Sequence, residues 1–184
     1  MTRPAMFRRF LLMLVLLALA APASALGQSM QVVPLPRDCE LLVSFKLGQP
    51  LTDDIRTAIH SGLTIKFVYK VDLRRAASVW FDRTIASAVV TATVKYDTLT
   101  RTYHITRMVD GRTDYADTTL DEDTAWAALT SDFARMSLFH GVPLEANAEY
   151  YVRVRANSSP KNSTFIWPWQ ADDAVGLAKF TFIR

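Results

Sequence analysis

Apolar and polar residues alternate over the eleven positions from Leu63 to Leu73, with Val68 the one apolar residue on the polar parity. Leu63, Ile65, Phe67, Tyr69, Val71 and Leu73 share one parity, and Thr64, Lys66, Val68, Lys70 and Asp72 share the other. A period of two describes a strand with one buried and one wet face, which is typical of antiparallel sheets rather than of βαβ units. The same pattern places Leu41, Val43, Phe45 and Leu47 on a strand stopped by Gly48-Gln49-Pro50, and Ala88, Val90, Ala92, Val94 and Tyr96 on a long strand from Ile85. Asp97-Thr98 predicts a tight reversal, after which Thr102 to Val109 returns. Asp110-Gly111 is a hairpin dipeptide and makes Arg112 to Ala116 an edge strand. Near the end of the chain, Tyr150, Val152 and Val154 alternate with Tyr151, Arg153 and Arg155, and Leu177 to Ile183 turns Phe180 and Phe182 inward.

Two segments change period. Thr52 is a candidate cap for a short helix (TDDIRTAIHS) that ends before Gly62. Thr119 and Glu122 form a capping-box pattern, and Trp126, Leu129, Phe133 and Met136 then recur at helical spacing, predicting a packed helix from Leu120 to Met136 stopped by Gly141-Val142-Pro143. Leu26 to Asp38 contains two prolines and no sustained period, so it reads as an extended lead-in. Ala156 to Val175 reads as a long polar loop. The expected fold class is mainly β: an antiparallel β-sandwich-like (α+β) domain over 39–184 with one packed helix and one short helix.

The first 25 residues follow a different logic. Arg3, Arg8 and Arg9 precede the apolar run Phe10–Ala21, and Ala23-Ser24-Ala25 is a small-x-small triplet. This is the three-part layout of a signal peptide, with an apolar run shorter than the roughly 20 residues a membrane span needs. The expectation is an exported, periplasmic protein with no stable membrane span after cleavage; the alternative is a chain held at the inner membrane by an uncleaved signal. The 21 Lys and Arg exceed the 18 Asp and Glu by three, and those three are Arg3, Arg8 and Arg9. The chain from Leu26 onward is therefore neutral, which sets nucleic acid aside as a partner. Cys39 is the only cysteine, so no internal disulfide is available, and it is either buried or free for intermolecular pairing.

Candidate chemistry is sparse. His60, His104 and His140 have no local metal-ligand spacing, and Asp121-Glu122-Asp123 sits where a helix N-terminus favours carboxylates. Asp172-Asp173 lacks the wider calcium-loop pattern, and no nucleophile motif is present. No catalytic residue, metal site or cofactor is predicted. The least ordinary feature is Phe165-Ile166-Trp167-Pro168-Trp169. Two readings stand for Phe165, Trp167 and Trp169: a plug for one end of the sandwich, or an aromatic contact for a partner.

Val79-Trp80-Phe81-Asp82-Arg83-Thr84-Ile85-Ala86-Ser87 resembles the W-F-D-x-x-[IV]-A-S stretch of domain-of-unknown-function family 4390. Tyr96 to Tyr103, with Leu99-Thr100-Arg101, resembles its Y-x-x-L-T-R-x-[YW] stretch, and the strand from Ser61 is similar to a third segment, with Thr64 where proline is expected. The resemblance covers about residues 40–184 apart from variable loops. It implies an exported bacterial envelope protein of unknown role, with no established catalytic residues and with a membrane sensor kinase as a signalling partner. The expected function is a non-enzymatic protein-interaction module; the alternative is a periplasmic ligand-binding protein or enzyme whose site is not visible in sequence. Trp80 and Phe81 are read as core anchors. Asp82 with Arg83, and Arg101 after the reversal, are read as groups that hold strand ends together. Export predicts cleavage between Ala25 and Leu26, so the intact mass of protein from the periplasmic fraction should begin at Leu26; a mature species that retains Arg8 would overturn this.

Overall fold

From Ile65 onward the Leu63–Leu73 alternation becomes an interior strand of the larger of two antiparallel sheets, whereas Leu63 precedes the strand and is exposed. The computed structural model describes residues 30–37, 40–76, 82–159 and 174–183. Residues 1–29, with the expected signal segment, and Cys39, Trp80, Phe81, Phe165, Trp167 and Trp169 lie outside the described residues. The elements run β1 (Met30–Arg37), β2 (Glu40–Leu47), α1 (Asp53–His60), β3 (Ile65–Arg75), β4 (Arg83–Asp97), β5 (Thr102–Val109), β6 (Arg112–Thr119), α2 (Glu122–Thr130), β7 (Phe133–His140), β8 (Glu149–Ser159) and β9 (Ala174–Thr181). One sheet has the order β1-β2-β7, the other β6-β5-β4-β3-β8-β9. No helix among the described residues is long and apolar enough to cross a membrane.

The inward parities of the two sheets meet in one core. Phe45 of β2 stacks on Phe133 of β7 at 4.4 Å, and both rings contact Tyr69 of β3, at 5.0 and 4.8 Å. Phe67 meets Trp126 of α2 edge-on at 6.0 Å. The Tyr69 hydroxyl is fully buried and donates to the carbonyl of Leu129 at 2.5 Å. The Trp126 indole N–H donates to the carbonyl of Gln49 at 3.1 Å. The mainly-β, two-sheet, two-helix arrangement is the expected fold class.

Several local expectations change. The lead-in contains β1, which pairs with β2 from Met30↔Leu47 to Arg37↔Glu40. Pro34 and Pro36 share one parity, and an edge strand tolerates proline where its nitrogen faces away from the ladder. β1 also lies against β9. A Cβ on Gly176 would stand 2.5 Å from Val32 Cγ2 and 2.8 Å from Met30 Cγ, so only glycine permits that approach.

The packed helix is shorter than its spacing predicted. It ends at Thr130, and Phe133 and Met136 belong to β7. The β2–β7 register shifts between Leu41/Leu42 and Val43/Phe45, and Arg135 has φ of 50°. A bulged strand turns residues three apart to the same face, so Phe133 and Met136 are both buried and imitate a helical period. The cap is Asp121, whose carboxylate accepts from the Thr124 N–H at 2.8 Å, rather than Thr119, which ends β6. Gly141 therefore follows a strand. The expected loop from Ala156 is also shorter, because β8 continues through Ser159 and Ala156 pairs with Ala174.

Trp126 is 8% exposed. Trp126→Ala should cost about 3–5 kcal/mol in urea unfolding; a loss below about 1 kcal/mol would mean that α2 does not hold the sheets together.

Candidate binding face

The outer face of the six-stranded sheet gathers polar residues that are far apart in sequence. Antiparallel register sets Asp72 of β3 opposite Ser87 of β4 and Arg153 of β8. The Ser87 hydroxyl donates to Asp72 Oδ1 at 2.7 Å, and Arg153 and Arg155 donate to Oδ2 at 3.2 and 3.0 Å. Asp72 is only 3% exposed, although its parity in sequence assigns it to the wet face. Burial alone would raise its pKa. The hydrogen bonds from Ser87 and Arg153, with the charges of Lys70 and Arg155, outweigh burial and hold the carboxyl below its ordinary range.

Next to this cluster, the carboxylate of Asp82 accepts from the Tyr151 hydroxyl at 2.7 Å, and its backbone carbonyl accepts from Arg74 at 2.8 Å. The Arg74 guanidinium lies 5.6 Å from the centre of the Tyr151 ring. Burial, and then the bond to Asp82, push the Tyr151 hydroxyl pKa up. Two polar residues of the W-F-D-x-x-[IV]-A-S stretch, Asp82 and Ser87, therefore both serve this face.

The register arranges the face in three rows. Val175, Arg155, Lys70 and Val89 form one; Leu177, Arg153, Asp72 and Ser87 the next; Lys179, Tyr151, Arg74 and Thr84 the third. Lys66, Lys70 and Lys179 are exposed and make no ion pair among the described residues. Lys66, Lys70, Arg74, Arg153, Arg155 and Lys179 thus stand with three carboxylates, Asp72, Asp82 and Glu149, while Arg75 of β3 pairs with Glu145. The neutrality of the chain from Leu26 onward is an average, since Asp114, Asp117, Asp121 and Asp123 sit at the other edge, on β6 and around α2.

The remaining candidates lie elsewhere. Leu99, Thr100 and Arg101 form the β4–β5 turn, where Asp97 Oδ1 accepts from the N–H groups of Leu99 and Thr100 at 2.8 and 3.3 Å. Leu99 is 94% exposed and Arg101 has φ of 57°. This turn is on the order of 45 Å along β4 from Asp82, so the two family stretches do not form one site.

His60 does gain partners. Its Nε2 lies 2.9 Å from the Tyr103 hydroxyl and 3.3 Å from Glu122, and its ring stacks on Tyr96. Glu122 also accepts from Arg56 Nε at 2.8 Å, so the group joins α1, β5 and α2. Burial and the Glu122 charge push the Tyr103 hydroxyl pKa up. His140 is an exposed residue beside Ser137 and Glu40, with Ser137 donating to Glu40 at 2.6 Å. His104 stands on β5 opposite Lys95. Among the described residues, no group of three His, Cys, Asp or Glu is placed to hold a metal.

These observations define a class: a two-sheet antiparallel β protein with a cation-rich sheet face organised around a buried carboxylate. The chain belongs to the family described as Domain of unknown function (DUF4390), whose sequence model matches residues 27–163. That span takes in β1 and stops before β9. Comparison with curated proteins and with solved structures finds no match.

Because folding lowers the Asp72 pKa, its contribution to stability is complete above the ordinary carboxylate value near 4 and is lost as pH falls through the lower folded-state value. Asp72→Asn should cost about 1–3 kcal/mol near pH 7. The gap from wild type should narrow on acidification, as read by urea unfolding across pH. A gap independent of pH would show that the charge of Asp72 does not matter.

Proposed function

We propose that the protein is exported and acts in the bacterial envelope as a non-enzymatic docking module for an inner-membrane signalling protein. The observation that carries this reading is the outer sheet face, where Arg153 and Arg155 are held by the buried Asp72 beside Lys66, Lys70 and Lys179, which make no ion pair among the described residues. Such a face steers and orients a charged partner. Export is supported by the three-part N-terminus, and a sensor-kinase partner by the setting that the family resemblance implies. Phe165, Trp167 and Trp169 are proposed as a second, aromatic contact for the same partner.

A second reading, a ligand-binding protein or enzyme, draws on His60, Tyr103 and Glu122. Its weakness is that Glu122 already pairs with Arg56 and His60, which ties the two helices together.

Photo-crosslinkers at positions 70 and 179 should trap a discrete membrane protein in intact cells, while one at Lys46 on β2 should not. Failure to trap any protein from the sheet face would overturn the docking reading. In the same assay, Trp167→Ala with Trp169→Ala separates the two readings of that segment: loss of the partner at an unchanged Tm marks a contact, whereas a lowered Tm, the outcome expected because at least one of the two is read as structural, marks a plug.

A further inference from the structure

We propose that the β3–β8–β9 face binds an extended acidic protein segment of pattern acid-x-aliphatic-x-acid; this rests on the docking reading above. The first row of the face presents Arg155 and Lys70, and the third presents Lys179 and Arg74. Corresponding residues of these rows are four apart along each strand, about 13 Å. An extended chain repeats the same face every second residue, so carboxylates at i and i+4 reach both cation rows together.

The middle row determines the residue between them. It presents Leu177, 53% exposed, beside Arg153, whose charge is offset by Asp72 in the same row, whereas the row of Lys70 and Arg155 contains no carboxylate. With Val175, 48% exposed, Leu177 forms an apolar ledge along β9, which an aliphatic side chain at i+2 covers. A carboxylate at i+2 finds no net positive charge there, because Arg153 and Asp72 offset one another, so the middle row favours an aliphatic residue.

An acidic segment fits better than an anionic bilayer. A six-stranded sheet twists by roughly 20° from strand to strand, so a planar surface meets only part of this face, whereas a single extended segment can follow two neighbouring strands. Arginine forks also suit carboxylates held at defined positions.

The test uses the purified secreted chain and two labelled peptides of equal composition, with serine filling the other positions. One has Glu at i and i+4 with Leu at i+2; the other has Glu at i and i+3, which an extended chain turns to opposite faces. Fluorescence anisotropy should show the first binding on the order of tenfold more tightly, with affinity falling as salt rises. Arg153 and Arg155 also hold Asp72, so the variant used is Lys70→Gln with Lys179→Gln, both exposed. It should keep its Tm and lose binding several-fold, whereas Lys46→Gln should bind like wild type. Equal binding of the two peptides, unchanged binding by the lysine variant, or binding to phosphatidylglycerol vesicles but to neither peptide would overturn the inference. If the peptides fail while crosslinks at positions 70 and 179 persist, this inference falls and the docking reading stands; if the crosslinks vanish too, both fall.

Discussion

The Tyr69 hydroxyl donating to the Leu129 carbonyl is the contact on which the two layers depend. Tyr69 lies on an interior strand of the six-stranded sheet, its ring packs against Phe45 and Phe133 of the other sheet, and its oxygen reaches α2. A buried phenol without a partner would be costly, and the nearby helix carbonyl removes that cost. One side chain thus joins three elements and sets the distance between the layers. Burial pushes its pKa far upward, so it remains a neutral donor at any physiological pH. Trp126 repeats the device, placing its ring against Phe67 and its N–H on the Gln49 carbonyl.

With the core fixed in this way, the outer face is free to carry charge. Asp72 is the organising group there. Two guanidinium groups and a hydroxyl share its two oxygens. Such a cluster is better understood as positioning than as a source of stability, because desolvating the charges offsets much of their attraction. It holds two arginines at a fixed spacing. Asp82 and Tyr151 do the same for Arg74 one row further along.

The contrast with the helix side is informative. His60, Tyr103, Glu122 and Arg56 are richer in titratable groups, yet they mostly satisfy one another and bridge α1 to α2. The outer face keeps lysines with no ion pair among the described residues beside exposed aliphatics, a combination suited to a partner. This difference separates an internal clasp from a surface available for recognition.

Much of the fold was legible in the chain. Period-two alternation at Leu63–Leu73 and Ala88–Tyr96, and the Asp110-Gly111 reversal, determined strands, faces and a hairpin, because strand geometry is set by neighbouring residues. Where local signals were ambiguous, tertiary pairing decided: Phe133 and Met136 carry helical spacing but lie on a bulged strand that β2 pairs, and β1 forms despite two prolines because it is an edge. The site was less legible. Asp82 and Ser87 were visible as part of a family stretch, but Tyr151, which donates to Asp82, and Arg153 and Arg155, which share Asp72 with Ser87, come from β8, more than sixty residues later in the chain. Asp72 read as a solvent-facing residue because parity specifies a face and not what covers it. Sequence alone thus determined the strongly alternating strands, the short helix and their inward sides; tertiary pairing decided β1 and β7, and only the register between distant strands decided which charges meet, since long-range pairing leaves no local period.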